Sequence, residues 1–244
     1  MGAVLVILKR EMLIYARDRS YVVSSIFRPI LWLFVIGFGI GSAFKGGGED
    51  YMRFIFPGII GMAILFTSVF FGMSIIWDRQ FGFLKVMLVA PVARVYVVLA
   101  KMLSGSIISV FQGVFVLALG PFLGVKLTVF SAVLCLLVMF VGSMALTSLG
   151  IFIASRMESF EGFGLIMNFI VMPMFFLSGA LFPVESIPPY FQWFIYVNPL
   201  SYCVDLLRYV LIGTNSFSLV LDAAMVSGFT GAVAYLAGVN FSRN

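Results

Sequence analysis

The ionisable residues of this 244-residue chain gather in short runs: Lys9-Arg10-Glu11, Arg17-Asp18-Arg19, Asp78-Arg79 with Lys85, and Asp205 with Arg208. None of these sets performs covalent chemistry. Histidine is absent, which removes the commonest general base and the commonest metal ligand together. A Ser-His or Cys-His nucleophile pair is therefore excluded within the chain. The two cysteines, Cys135 and Cys203, stand in different segments at no metal-like or redox spacing, and they fit ordinary buried thiols. No G-x-x-x-x-G-K-[ST] phosphate loop occurs, so nucleotide hydrolysis of the usual P-loop kind is excluded as well. The chain is expected to be no enzyme, with no catalytic residue, no metal and no cofactor of its own. Its charges are suited instead to pairing and docking. Asp205 and Arg208, three apart on a helix, share one face and are placed to pair or to contact a substrate.

The elements that carry these charges are membrane helices. Hydrophobic residues make up 62% and charged residues 10% of the chain, with a mean hydropathy of +1.15, whereas soluble domains carry about 25% charge. Apolar runs bounded by charges give six expected spans, near 24–44, 54–77, 102–122, 129–153, 164–182 and 223–241, each about the 20 residues that cross a bilayer core. Only the first contains a charge, Arg28 near its start, and the centres of all six contain none. Ion-coupled transport normally leaves ionisable groups at such depths, so the energy for any transport is expected from outside the chain. These lengths suit helices rather than the ten-residue strands of an outer-membrane barrel, and the expected fold is an all-α membrane protein with six transmembrane helices.

Of the 15 basic residues, 11 fall on the side of the N-terminus: Lys9, Arg10, Arg17, Arg19, Arg28, Arg79, Lys85, Arg94, Lys101, Arg156 and Arg243. By the positive-inside rule, both termini are expected in the cytoplasm. No cleavable signal peptide is evident, because the apolar run 4–8 is too short. The net charge of +5 does not imply nucleic acid, since the basic residues flank hydrophobic spans instead of forming a patch on a folded domain.

Two segments stand apart from the spans. On a helix, Val4, Leu5, Leu8, Met12, Tyr15 and Ala16 share a charge-free face, with Lys9, Arg10, Glu11, Arg17 and Asp18 outside it. Residues 1–20 are therefore expected as an amphipathic interfacial helix that ends just before Arg19, acting as a lipid anchor or as a lever that docks a partner on its polar side. Residues 183–213 are interrupted at Pro188-Pro189 and Asn198-Pro199, where proline removes a backbone donor and disfavours helix in the residue before it. The pieces left are too short to span, so a re-entrant hairpin on the outer side is expected, covered by protein or lining a cavity. Trp193, Tyr190, Tyr196, Tyr202 and Tyr209 gather there as an aromatic belt or a gate. Lys45 to Asp50 forms a flexible outer loop, and Gly37/Gly41 and Gly120/Gly124 have the spacing of close helix approach.

Two stretches carry a resemblance. The run from Trp77 through Asp78, Arg79, Gln80, Phe81, Gly82, Phe83, Leu84, Lys85 and Leu88 to Ala90-Pro91 and Arg94, followed by Lys101, resembles the loop after the second span in permease subunits of ABC-2 type exporters. So does the stretch Met172-Pro173-Met174 to Phe182-Pro183, continuing through Pro188 to Asn198-Pro199-Leu200 and Asp205-Leu206-Leu207-Arg208. Asp78 stands where that family more often has Glu, and it keeps the charge.

The resemblance implies the membrane half of a transporter, with residues 1–20 as the interfacial helix and 21–244 as the six-span domain. Two such permeases, usually identical, would pair and bind two copies of a separate ATP-binding cassette subunit that holds ATP and magnesium. Residues 78–90 would form the coupling helix on that subunit, with Asp78, Arg79, Phe81, Gly82, Leu84, Lys85 and Leu88 at the contact and Lys9, Arg10, Glu11 and Arg17 bracing it. Phe81, Leu84 and Leu88 present an apolar ridge, and the charges set register more than affinity. Pro183, Pro188, Asn198, Pro199, Asp205 and Arg208 would shape the outer hairpin. Expected partners are the ATPase, a second permease copy and membrane lipids, with no nucleic acid. The expected location is a prokaryotic plasma (inner) membrane, and the expected activity is ATP-driven export of a hydrophobic or amphipathic substrate, drug-like or lipid. Export of a lipid-linked polysaccharide by the same mechanism is the alternative; an ATP-independent channel or membrane scaffold is the rival of another class, and an assembly factor a third.

Overall fold

A computed structural model describes residues 2–41, 48–83, 94–184 and 188–243. Among these residues the protein is all helix with no strand, as expected. Leu84, Lys85 and Leu88 of the expected coupling helix, residues 45–47 of the expected loop and residues 185–187 of the expected hairpin lie outside the described residues, and residues 48–50 of that loop are helical instead.

Local chemistry sets the element boundaries. Helix α1 (Gly2–Arg17) ends at Asp18, whose Oδ1 accepts the Tyr21 N–H at 2.9 Å and so caps α2 (Arg19–Gly41). This break falls just before Arg19, where the sequence placed it. The 24 residues of α3 (Gly48–Phe71) run on, after a turn at Gly72, into α4 (Met73–Gln80). Helix α5 (Arg94–Leu117) is followed by a 3₁₀ turn at Gly120–Leu123, and α6 (Val129–Ser155) opens on a capping box in which Thr128 and Ser131 bond each other's N–H. Ser159 caps α7 (Phe160–Phe176), Asn198 caps α9 (Pro199–Ile212) after α8 (Pro189–Val197), and α10 (Leu219–Arg243) closes the described chain.

Helices α3 and α6 form the centre. Ile55, Phe56, Ile59, Ile60, Ile64 and Leu65 surround the α3 axis and are all buried, the signature of a helix packed on every side. Around this pair stand α2, α5, α7, α9 and α10, with α1 laid against α5. Backbone packs on backbone at the α3–α4 joint, where Gly72 meets the Gly150 backbone and a side chain at Gly150 would run into the Val69 carbonyl. Backbone cannot yield there, so Gly150→Ala is expected to cost about 1–3 kcal/mol, read as a lowered melting temperature in detergent.

Five described helices are long and apolar enough to cross a membrane: 19–39, 51–80, 94–117, 129–155 and 219–238. Their bounds correct the sequence reading in one important respect. Asp78, Lys101 and Asp222 lie inside these helices, so Arg28 is not the one charge among the spans. The third of these helices begins at Arg94, eight residues before the expected span, and Lys101 within it finds partners instead of water. The fifth expected span is represented by α7, 17 residues long, about 25 Å at 1.5 Å per residue against a hydrocarbon core of roughly 30 Å. Gly120 and Gly124 sit in the 3₁₀ turn, with Gly124 at φ 71°, so they make no helix-packing face. Gly37 faces Met52 of the same chain.

Candidate functional site

The charges singled out in the sequence converge on one spot. Arg10 and Glu11 of α1, Asp78 of α4 and Lys101 of α5 form a closed ring of ion pairs. Arg10 donates to Glu11 and to Asp78 at 2.8 Å each, and Lys101 Nζ donates to Glu11 at 2.8 Å. Lys101 Nζ also lies 2.5 Å from Asp78 Oδ2, a charge contact and not an aligned hydrogen bond. Ser74 accepts a further bond from Lys101 at 3.1 Å. The Arg10 guanidinium stacks over the Phe83 ring at 3.7 Å.

Burial makes this ring consequential. The side chains of Lys101, Asp78 and Glu11 are 2%, 3% and 5% exposed, and that of Arg10 is 29% exposed. Two cations and two anions cancel, which is the condition under which charge can be taken from water. The ring ties α1 and α4 to the wall of the bundle at α5. Glu11 is thus on the inward face of α1 beside Ile7, while Leu5 of the charge-free arc is exposed. The sequence placed Glu11 on the outward, polar side. Its partners are Arg10, next to it, and Lys101, 90 positions away, and the distant cation makes the inward orientation affordable.

The next residues brace the neighbouring turn. Arg79 donates to the carbonyls of Met157 at 3.0 Å and Ser155 at 2.9 Å, closing the C-terminal end of α6. Gln80 donates to the Glu158 carbonyl at 3.3 Å. Trp77 stacks on Phe81 with ring centres 5.2 Å apart and leans on Phe160 of α7 at 5.0 Å. Phe81 remains 72% exposed. Gly82, with φ 74°, adopts the left-handed turn that L side chains resist. Of the expected coupling residues that are described, Asp78 and Arg79 therefore point into the protein, while Phe81 points out. Lys9 and Arg17 are exposed on α1.

At the opposite end, the hairpin residues act as caps and braces. Asn198 caps α9 by accepting the Leu200 N–H at 3.0 Å, and it donates to the Met174 carbonyl at 2.6 Å, fixing α9 against the end of α7. Pro199 opens α9 at a position where its missing N–H costs nothing. Asp205 accepts the N–H groups of Ser216 and Phe217 at 2.9 Å, holding the loop before α10. Arg208 donates to the Gly179 carbonyl at 2.7 Å and lies 4.3 Å from the Phe54 ring centre. Pro188 is exposed and Pro183 half-buried, and α8 and α9 are 9 and 14 residues long. Both cysteines are buried and unpaired.

Sequence reasoning quoted Lys101 but gave it no partner, and it did not single out two further features. A polar seam joins α3 to α5, where Thr67 bonds Gln112, Gln112 bonds Tyr15 at 3.2 Å, and Ser68 bonds Ser109 at 2.8 Å. Its only trace in the sequence is Ser109 and Gln112 three apart in an apolar helix, the pattern of interhelical hydrogen bonding in membranes. Asp222 is the second, at the start of α10 and fully buried. A cleft of about 280 Å³ opens between α2 and α3, polar at Ser24 and Arg28 and apolar at Met62, Phe66 and Phe70.

Comparison with known proteins adds to this geometry. A family model described as ABC-2 type transporter matches residues 2–212. The chain is 28% identical to "Putative transport permease ycf38" of Cyanophora paradoxa, over 84% of this chain and 72% of the relative. It is 28% identical to "Inner membrane transport permease YadH" of Escherichia coli K12, over 78% and 75%. It is also 25% identical to "Probable multidrug ABC transporter permease YbhR" of the same organism, over 76% of this chain and 52% of the relative.

Proposed function

Because this chain belongs to the ABC-2 type transporter family, we propose that it is the membrane-embedded permease of an ATP-driven exporter and moves an amphipathic or hydrophobic molecule outward. The match over residues 2–212 carries this reading. A separate chain supplies ATP hydrolysis with its magnesium, two copies of it binding two copies of this permease. Both termini and the Trp77–Phe81 surface face the cytoplasm, and α8 and α9 form a re-entrant hairpin on the outer side in a prokaryotic plasma membrane.

The buried ring of Arg10, Glu11, Asp78 and Lys101 gives the mechanism a physical basis. A push on the segment after Gln80 is carried to α1 and α5 by the ring and, through Arg79, to the end of α6. The exposed Phe81 and the stretch with Leu84, Lys85 and Leu88 form the contact with the ATPase, and α1 braces it. The cleft at Arg28, lined by both polar and apolar side chains, supports an amphipathic cargo of the drug or lipid type over a polysaccharide. The name of the YbhR relative, a multidrug permease, leans the same way.

Native mass spectrometry of the complex purified with its ATP-binding chain tests the assembly. Two permeases with two ATPases is the expected mass; a permease that purifies alone in active form removes the reading.

A further inference from the structure

The cleft between α2 and α3 gathers side-chain donors that have no receiver among the described residues. Tyr21, Ser24, Ser25 and Arg28 line its α2 wall at i, i+3, i+4 and i+7, one face of the helix. The Ser25 hydroxyl donates to the Val22 carbonyl at 2.9 Å. The Tyr21 and Ser24 hydroxyls and the Arg28 guanidinium make no hydrogen bond among the described residues, and Arg28 makes no ion pair there.

Arg28 stands within a helix long and apolar enough to cross a membrane, 19–39, where a cation without a counter-charge is costly. The facing wall supplies none. Helices α3 and α4 carry no charge from Phe54 to Trp77, and Asp78 just beyond is bound to Arg10 and Lys101. Asp18, the nearest acid along the chain, accepts the Tyr21 N–H at the start of α2.

The opposite wall is apolar, with Met62, Phe66 and Phe70 of α3, so the cation lies beside a path for a hydrocarbon chain. At about 280 Å³ the cleft falls below the roughly 300–1,000 Å³ of pockets that enclose a whole drug-sized ligand. It suits the head of a molecule whose chains stay in the bilayer. A guanidinium pairs with phosphate through two parallel N–H···O bonds, and the two hydroxyls are donors for the remaining phosphate oxygens. Basic pockets between membrane helices are where acidic headgroups lodge.

We infer that this cleft binds an acidic phospholipid of the surrounding bilayer, its phosphate on Arg28 beside Tyr21 and Ser24 and one acyl chain against Met62, Phe66 and Phe70. The lipid supplies the anion that the first span lacks. This sharpens the amphipathic cargo read from the same cleft and rests on that reading only for the lipid's being carried; binding itself needs no ATPase.

Titration of the detergent-solubilised permease with phosphatidylglycerol or phosphatidylcholine, with lipid adducts resolved by mass, tests the site. Phosphatidylglycerol is expected to bind about tenfold more tightly than the zwitterionic lipid, and Arg28→Gln is expected to remove that preference. Arg28 is exposed, so the variant should melt like the wild type in lipid-free detergent. Arg19→Gln, at another exposed cation of the same helix, should keep the preference. Glycerol 3-phosphate, a head without chains, should not displace the lipid. Equal affinity for the two lipids, an unchanged preference in Arg28→Gln, the same loss in Arg19→Gln, or displacement by equimolar glycerol 3-phosphate would overturn the site. No ATP-binding chain enters the measurement, so a failed exporter assignment leaves the site standing and a failed site leaves the assignment standing.

Discussion

Replacing Lys101 by Met is expected to lower stability by about 3–5 kcal/mol, the cost of breaking a buried ion pair from one side. The substitution keeps most of the side-chain volume, so the loss is electrostatic. Glu11 and Asp78, 4% and 3% exposed, are left with Arg10 as their remaining ring cation. The expected signs are a large drop in melting temperature and early proteolysis within α1. The double variant Lys101→Met with Glu11→Gln removes one charge of each sign and leaves the Arg10–Asp78 pair balanced. It should recover more than half of the loss, since a buried pair replaced on both sides is often nearly neutral. A single variant that melts like the wild type, or a double variant that recovers nothing, contradicts the ring as the joint between α1 and the bundle.

The second large effect is expected at Phe81. Its ring is 72% exposed and stacked on Trp77, the profile of an aromatic anchor that a partner covers. Phe81→Asp is expected to weaken association with the ATP-binding chain by about 2 kcal/mol or more, roughly 30-fold. Exposed substitutions of this kind leave stability within about 0.5 kcal/mol, so the permease itself should melt normally. Leu84→Asp, on the next turn of the same expected ridge, should give a similar loss. The pull-down should be compared with Lys9→Glu, also on an exposed surface. Retained binding by Phe81→Asp places the contact elsewhere.

The uncharged runs made most of the fold legible. Between Phe54 and Trp77 there are 24 residues without a charge, and α3 and α4 fill that run. Prolines at 188–189 and 199 mark where α8 and α9 start, because proline fits the first helical turn and not the interior. The end of α1 at Arg17 followed from where Arg19 would fall on its apolar arc.

What stayed hidden was each place where charge is buried. A charge marks the end of a span only if water is its best partner. Lys101 and Asp78 are paired across distances of 23 to 90 positions in the chain, and no periodicity within one helix shows such a partner. Glu11 was hidden for the same reason, and its inward turn rotates α1 relative to the charge-free arc. Asp222 sits one residue before the run that was taken as the last span, so it passed for a boundary. The expectation that Asp205 and Arg208 pair or contact a substrate rested on helical spacing, which does not show that Asp205 also holds the 216–217 backbone or that Arg208 bonds the Gly179 carbonyl. Local spacing shows which side chains share a face but not what that face meets.

The most direct test of the central claim is transport by the permease in sealed vesicles, followed with a fluorescent amphiphile under three conditions: permease alone, permease with its ATP-binding partner and ATP, and the same complex with a non-hydrolysable ATP analogue. Accumulation against a gradient only in the second condition is the predicted result. Uphill movement by the permease alone, or with the analogue, would contradict it.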